Sequence, residues 1–268
     1  MNKAILLGTT GMAAALAMLA FGFVTGNPQT AKADTVQIVQ TASSDGTKID
    51  RAEVEGIIRD YLLKNPEVLL EAQSALEAKQ KEEQRIASLG VIKNAKDEIF
   101  NSSFDGVVGN PNGKVTIVEF YDYNCGFCKR AIDDMRALTK ADPNLRFVLK
   151  EFPILGPDSQ KASVVSMAFH LMKPEKYGEF HNALLGGQGR ATEAAAIKVA
   201  LSLGADEATL REKMKDPSIT QTFSKTYELA NKLAITGTPS YVVGNEVVFG
   251  ALGREVLAEK IEAAKAAL

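Results

Sequence analysis

Residues 115–130 read VTIVEFYDYNCGFCKR, and this stretch decides the fold. Its first seven residues are mostly β-branched or aromatic, which predicts a buried strand. The motif Cys125-Gly126-Phe127-Cys128 follows three residues later, and residues 129–140 then place apolar side chains at helical spacing. A second strand is predicted over residues 145–151. The order is strand, CxxC, helix, strand, and a right-handed crossover is expected if the two strands are parallel.

The two cysteines are the only ones in the chain. A helix N-terminus favours an anion, because its unpaired N–H groups and its dipole point toward that end. Cys125 is therefore predicted to titrate below the free-thiol value of about 8.5 and to be the exposed nucleophile. Cys128, one turn along and more buried, is predicted to resolve the mixed disulfide by attacking the sulfur of Cys125. The redox-active disulfide Cys125–Cys128 needs no separate cofactor.

A structural disulfide and a metal half-site are the alternatives for this pair. A disulfide closing a four-residue loop contributes roughly 2 kcal/mol, against about 3 kcal/mol for fifteen residues, so it stabilises little. Zinc needs about four ligands, and the only two histidines, His170 and His181, lie far along the chain. Redox chemistry is favoured, and no metal site is expected.

The N-terminus has the pattern of a secretory signal peptide. Lys3 precedes an apolar run from Ala4 to Val24, and Ala31-Lys32-Ala33 offers a small-x-small cleavage site. We predict a signal peptide over residues 1–33, cleaved near Ala33, and a periplasmic location. An uncleaved membrane anchor is the alternative, because about 20 apolar residues can span a bilayer. Residues 34–48 are polar and predict a linker.

Residues 49–100 predict an N-terminal helical segment ahead of the main domain. One helix begins at Asp50 and should end near Lys64, and a second begins at Asn65-Pro66. Their apolar stripe consists of Ile57, Ile58, Tyr61, Leu62, Leu69, Ala72 and Leu76. A stripe without a core of its own usually packs on a partner, so we predict a homo-oligomer. Docking back on its own domain is the alternative.

Residues 101–268 predict an α/β domain of four strands with a helical insertion over about residues 159–233. A β-hairpin is indicated over residues 241–249, and residues 254–268 close the chain as a helix. The net charge is −2, and Lys and Arg are spread along the chain without a basic block. A nucleic-acid partner is therefore not expected.

Residues 118–130 resemble the active-site segment of DsbA-like proteins of the thioredoxin superfamily. The resemblance extends through the inserted helices to Gly237-Thr238-Pro239-Ser240, and it covers about residues 100–268. It implies a thioredoxin-like fold and a thiol-disulfide oxidoreductase acting on unfolded or misfolded cysteine-containing proteins. It also implies a membrane thiol-redox partner that resets the dithiol.

The resemblance also implies roles for individual residues. Pro239 is expected to be cis and to face the cysteines, with Thr238 beside the sulfurs. We predict that these two residues, with Gly126 and Phe127, contact the substrate. Glu119 resembles the buried strand carboxylate of the family and is predicted to accept a proton when Cys128 ionises. The alternative for Glu119 is an ion pair with Lys150.

The most oxidising DsbA proteins carry Pro-His between the cysteines, where this chain has Gly126-Phe127. Without an imidazolium beside Cys125, the disulfide should be a weaker oxidant, which favours an isomerase or reductase over an oxidase. The N-terminal extension is similar to that of ScsC-like members, which oligomerise through it. A copper-handling or chaperone-like binding protein that uses the dithiol as a ligand is the alternative function.

Overall fold

The computed structural model of the chain describes residues 50–267. The predicted signal peptide, residues 1–33, and the predicted linker, residues 34–48, lie outside these residues. Within residues 50–267, no helix combines the length and the apolar composition that crossing a membrane requires.

The centre of the domain is a mixed sheet of five strands in the order β1-β3-β2-β4-β5. The strands are β1 (Gly106–Gly109), β2 (Val115–Tyr121), β3 (Leu145–Glu151), β4 (Ser240–Val243) and β5 (Glu246–Phe249). The pair β2 and β3 is parallel, and the other neighbours are antiparallel. The prediction of four strands was wrong by one. β1 has only four residues, two of them glycine, so its sequence lacks the pattern of a strand.

Ten α-helices surround or precede this sheet in the described residues. They are α1 (Arg51–Lys64), α2 (Glu67–Asn94), α3 (Lys96–Phe100), α4 (Gly126–Ala141), α5 (Pro157–Met172), α6 (Tyr177–Leu185), α7 (Glu193–Ser202), α8 (Glu207–Lys213), α9 (Pro217–Lys232) and α10 (Arg254–Ala266). The inserted helices α5 to α9 connect β3 to β4, which confirms the predicted helical insertion. The element order is that of a thioredoxin-like fold with an inserted helical domain.

Side chains alternate between two hydrophobic clusters along β2. Ile117 and Tyr121 belong to the cluster that includes residues of α4, α10 and the inserted helices α5 to α8. Val118 and Phe120 belong to the opposite cluster, with residues of α2, α3 and α9. Both faces of the strand are therefore buried, as a central parallel strand requires.

The core begins earlier than the predicted domain boundary at residue 101. Ile92 near the end of α2 is 2% exposed and Ile99 in α3 is 0% exposed, and both pack in the cluster with Val118. The end of α2 and all of α3 therefore belong to the domain. The first part of α2 is different, because Leu69 and Leu76 are both more than half exposed.

Candidate active site

A tight turn between β2 and α4 positions the first cysteine. The N–H of Cys125 donates to the carbonyl of Asp122 at 3.0 Å. The Asp122 carboxylate is buried, and it accepts from the N–H of Asn124 at 2.7 Å and from the Ser159 hydroxyl at 2.7 Å. Cys125 is the N-cap residue of α4, and its sulfur accepts from the N–H of Cys128 at 3.4 Å. The sulfur thus lies at a helix N-terminus.

The two thiols have opposite acidities. The pKa of Cys125 is lowered to about 5, first by the hydrogen bond from the Cys128 thiol and also by backbone N–H groups of Cys128 and Phe127. Burial raises the pKa of Cys128 well above its ordinary value, and the charge of Glu119 raises it further. At neutral pH the pair therefore offers one thiolate and one thiol.

The exposure predicted for Cys125 is wrong. Cys125 is 4% exposed and Cys128 is 0% exposed, so both count as buried. The loop before β4 covers the first sulfur: Cys125 Sγ lies 3.1 Å from the carbonyl oxygen of Thr238, to which it donates when it is protonated. The Thr238–Pro239 peptide bond is cis, as the resemblance implied. The carbonyl of Pro239 accepts from the N–H of Gly250 at 2.9 Å, which ties this loop to the end of β5.

Glu119 is a buried carboxyl on β2. It pairs in register with Tyr241 on β4, whose hydroxyl donates to Glu119 Oε1 at 3.5 Å. Burial raises the pKa of Glu119 to about 8. The alternative ion pair with Lys150 does not form, because Lys150 is bonded to Asp105. Lys150 stands opposite Phe120 in the β2–β3 register, so it faces the other side of the sheet from Glu119.

The middle residues of the CxxC motif lie at the surface. Phe127 is 58% exposed, and Gly126 is exposed as well. The Arg130 guanidinium lies over the Phe127 ring, 4.4 Å from its centroid. The structure therefore brings together all seven predicted site residues around one surface, with Glu119 and Cys128 beneath it.

Two residues that flank the motif were missed by sequence reasoning. Asn124 exchanges hydrogen bonds with the backbone of Ala191. Lys129 Nζ donates to the carbonyl of Gly189 at 2.7 Å. The contacted segment belongs to the loop between α6 and α7, more than 55 residues away in sequence. Its glycine-rich sequence signalled only a break between helices, and a proximity across that separation has no local signal.

The histidines lie within the helical insertion. His181 is buried and packs edge-on against the Tyr121 ring, with centroids 4.7 Å apart. Burial lowers the pKa of His181 to about 3, so it is neutral at physiological pH. Among residues 50–267, no group of three or more His, Cys, Asp or Glu side chains is placed to hold a metal ion.

Two family models match the chain. The DSBA-like thioredoxin domain matches residues 116–262, and the copper resistance protein ScsC N-terminal domain matches residues 50–83. The second match covers α1 and the first part of α2, the segment predicted to form an oligomer.

Solved structures that resemble this chain come from the same two groups of proteins. A thioredoxin-like oxidoreductase from Silicibacter pomeroyi DSS-3 is 39% identical, with a TM-score of 0.61, and the match covers 64% of this chain and 98% of that one. Proteus mirabilis ScsC in a transitional conformation is 28% identical, with a TM-score of 0.62 and coverage of 81% and 97%.

A curated relative shows the same domain within a larger protein. The Na(+)/H(+) antiporter NhaA 1 of Salinispora arenicola is 27% identical over 162 residues, which are 60% of this chain and 24% of the antiporter. The chain spans about a quarter of the length of the antiporters that it matches. The family model alone covers more than half of the chain. The chain therefore belongs to the DSBA-like thioredoxin domain family, whose homologues are disulfide oxidoreductases.

Proposed function

We propose that this protein is an exported, periplasmic thiol-disulfide oxidoreductase that exchanges disulfides with cysteine-containing substrate proteins. Isomerase or reductase activity is favoured over oxidase activity. The observation that carries the proposal is the contrast between the two sulfurs: Cys125 has a pKa of about 5 at the start of α4, and Cys128 is a buried thiol. A stable thiolate beside a protonated partner is the arrangement that disulfide exchange requires.

The reaction proceeds through a mixed disulfide. The Cys125 thiolate attacks one sulfur of a substrate disulfide, forms a bond to it, and expels the other substrate sulfur as a thiolate. In a reduction, Cys128 loses its proton and attacks the Cys125 sulfur, which releases the second substrate thiolate and leaves the Cys125–Cys128 disulfide. Two electrons pass to the substrate, and an external dithiol must return them. A membrane thiol-redox partner is proposed for that step.

Isomerisation needs no net electron transfer. The expelled substrate thiolate attacks another disulfide of the same chain, and a substrate sulfur finally displaces Cys125 as a thiolate. In this cycle Cys128 reacts only when a mixed disulfide persists: it then attacks the Cys125 sulfur and releases the substrate thiolate.

Glu119 is proposed as the proton acceptor for Cys128. The charge of Glu119 contributes to the raised pKa of Cys128, which places the two groups within electrostatic reach. A carboxyl with a pKa of about 8 is partly ionised at neutral pH and holds a proton better than an ordinary carboxylate. It is therefore suited to take the thiol proton and return it in the next cycle.

The residues around Cys125 favour a moderate oxidant. The thiolate receives its hydrogen bonds from Cys128, from the Thr238 side chain and from the backbone, and the motif carries Phe127 where the most oxidising relatives have histidine. A pKa of about 5 lies between the values of about 3.5 for DsbA and about 7 for thioredoxin. With a thiolate of intermediate stability, Cys125 can both attack a substrate disulfide and be displaced from the mixed disulfide, and isomerisation needs both steps.

The N-terminal helices are proposed to assemble identical chains. Exposed apolar side chains recur along α1 and the first part of α2, and they are Ile57, Ile58, Tyr61, Leu63, Leu69, Leu70 and Leu76. Burial of large apolar side chains contributes about 1.5–3 kcal/mol each. An assembly would hold several active sites around one substrate chain.

Two standard assays test the proposed function. The reduced protein should accelerate insulin reduction by an external thiol and should restore activity to scrambled ribonuclease. Cys125→Ser should abolish both activities. Cys128→Ser should lose reduction and accumulate mixed disulfides on Cys125. Inactivity of the intact protein in both assays would exclude the proposal.

Copper handling is a second candidate, because residues 50–83 match a family described by copper resistance. Two thiolates are soft ligands of the kind that Cu(I) prefers. Competition of the reduced protein with a chromogenic Cu(I) chelator tests it, with the Cys125→Ser variant as the control. Copper transfer that depends on Cys125, together with inactivity toward insulin, would favour this function over exchange.

A further inference from the structure

Arg130 lies at the entrance of the active site, stacked on the most exposed side chain of the CxxC motif. Its guanidinium carbon is 4.4 Å from the Phe127 ring centroid. Gly126 adds no side chain here, and a Cβ placed on it would meet, among the described residues, only Arg130 Nη1, at 4.0 Å. The guanidinium therefore lies beside the dipeptide that joins the two cysteines.

The carboxylates nearest to Arg130 in sequence are engaged elsewhere. Asp133 and Asp134 follow at the spacing at which a helical arginine usually forms an ion pair. Asp133 pairs with Arg136 at 3.0 Å. Burial raises the pKa of Asp134, and the cation whose charge lowers that pKa is Arg254 rather than Arg130. Within residues 50–267, Arg130 has no carboxylate within 4.0 Å.

Two cations close to Arg130 in sequence or in space, Lys129 and Arg190, already have partners. Lys129 Nζ donates to the carbonyls of Gly189 and Gly187, at 2.7 and 3.4 Å. Arg190 pairs with Asp158. Of the three cations Lys129, Arg130 and Arg190, Arg130 is the one to which residues 50–267 supply neither a carboxylate within 4.0 Å nor a hydrogen-bond acceptor. Stacking on Phe127 covers one face of the guanidinium and leaves its N–H edge free, which is the geometry that binds a carboxylate.

We propose that the Phe127–Arg130 pair recognises an acidic side chain next to the reacting cysteine of a protein substrate. The carboxylate accepts from the N–H edge of Arg130, while the Phe127 ring holds the guanidinium in place and contacts the apolar part of the substrate segment. This inference rests on the proposed function, because it names a class of substrate for the same two cysteines.

Model peptides with one cysteine, activated as a mixed disulfide with 2-nitro-5-thiobenzoate, test the inference. The residue after the cysteine is Asp, Asn or Lys, and the peptides are otherwise identical. Attack by the Cys125 thiolate forms a bond to the peptide sulfur and expels the coloured thiolate, whose absorbance reports the rate. Wild-type protein at low salt should react about two- to fivefold faster with the Asp peptide than with the Asn peptide, the range typical of an exposed ion pair.

Arg130→Gln should lower the rate with the Asp peptide to about that with the Asn peptide, which removes the preference. Arg211→Gln is the matched control: it removes one charge on α8, where Arg211 pairs with Glu207, and it should keep the preference. The preference should also fall toward onefold at 0.5 M salt, where exposed charges are screened. The Lys peptide should be the slowest of the three with the wild type.

Three results would overturn the inference. One is equal rates for the Asp and Asn peptides, and another is a preference that survives in Arg130→Gln. A third is an equal slowing of all peptides by Arg130→Gln, which would mean that Arg130 acts on Cys125 rather than on the substrate. Failure of the proposed function is distinct, because the wild type would then react with no peptide.

Discussion

Asn124 and Ala191 exchange two hydrogen bonds beside the active site. The N–H of Ala191 donates to Asn124 Oδ1 at 2.8 Å, and Asn124 Nδ2 donates to the carbonyl of Ala191 at 2.9 Å. The side-chain amide of Asn124 therefore bonds both backbone groups of Ala191, in the way that a residue of a neighbouring β-strand would. Because Asn124 precedes the nucleophile, this pair joins the helical insertion directly to Cys125. The loop between α6 and α7 and the loop of Pro239 are thus both bonded to the active-site segment.

Asn124→Ala should weaken substrate binding more than thiol chemistry. Loss of both bonds frees the loop around Ala191 and leaves two backbone groups without partners, at a cost of about 1–3 kcal/mol in unfolding free energy. We expect KM for insulin or scrambled ribonuclease to rise about three- to tenfold. The Cys125 pKa should stay unchanged, because none of its hydrogen bonds involves the Asn124 side chain.

Ser159→Ala is the matched control for this prediction. It removes the 3.1 Å bond from Asn124 Nδ2 to the serine hydroxyl, together with the 2.7 Å bond from that hydroxyl to Asp122, and keeps the exchange with Ala191. Its KM should remain near that of the wild type. An equal rise of KM in both variants would mean that the Ala191 pair has no special role.

Cys125 should react with an alkylating reagent along a titration curve centred near pH 5. Its pKa is lowered to about 5, so the thiolate is fully formed at neutral pH. The absorbance of the thiolate near 240 nm, followed against pH, gives the same midpoint independently. In Cys125→Ser, Cys128 should stay unreactive up to pH 9, because burial keeps it protonated. A midpoint above pH 7.5 for Cys125 would contradict the prediction.

Glu119→Gln should change both the stability and the resolving step. The carboxyl has a pKa of about 8 when folded and 4.5 as its ordinary value. Between these values the folded state binds more protons than the unfolded state, so this group lowers stability as pH rises from about 4.5 to about 8. In the oxidised protein, Glu119→Gln should therefore be more stable than wild type at pH 9, by at most about 5 kcal/mol. Urea unfolding at pH 5 and pH 9 measures the difference.

Glu151→Gln is the control that separates the effect of Glu119→Gln on stability from its effect on the resolving step. Glu151 is another buried carboxyl whose pKa burial raises to about 8, and it is not among the groups that shift the pKa of Cys128. Its substitution should change the pH dependence of stability in the same direction. The rate at which Cys128 resolves a mixed disulfide should fall at least tenfold in Glu119→Gln and stay unchanged in Glu151→Gln.

Charges placed on the apolar face of α2 should dissociate the proposed oligomer. Leu69 and Leu76 are 57% and 55% exposed and lie two turns apart on one face. The double variant Leu69→Glu and Leu76→Glu should sediment as a monomer at micromolar concentration, keep insulin reduction, and lose most isomerase activity. Ser74→Glu with Ala78→Glu adds the same charge on the opposite, exposed face of the helix and should remain assembled. Sedimentation of the wild type as a monomer would contradict the proposal.

The sequence by itself determined the central strand, the CxxC motif and the helices that follow. These are local patterns: the β-branched and aromatic composition of the strand and the spacing of apolar residues along the helices extend over fewer than twenty residues. The position of Cys125 at the start of a helix could therefore be predicted from the sequence. The resemblance located Pro239, because Gly237-Thr238-Pro239-Ser240 is a short motif.

Only the tertiary structure decided which distant groups meet the cysteines. Glu119 pairs with Tyr241 rather than with Lys150, because the β2–β3 register sends Lys150 to the opposite face of the sheet. Asn124 meets Ala191 across 67 residues, and Thr238 covers Cys125 across 113 residues. Such contacts depend on how the insertion folds back over the sheet. Residue types along the chain carry no distance information at that separation, so the burial of Cys125 and the raised pKa of Glu119 follow from packing.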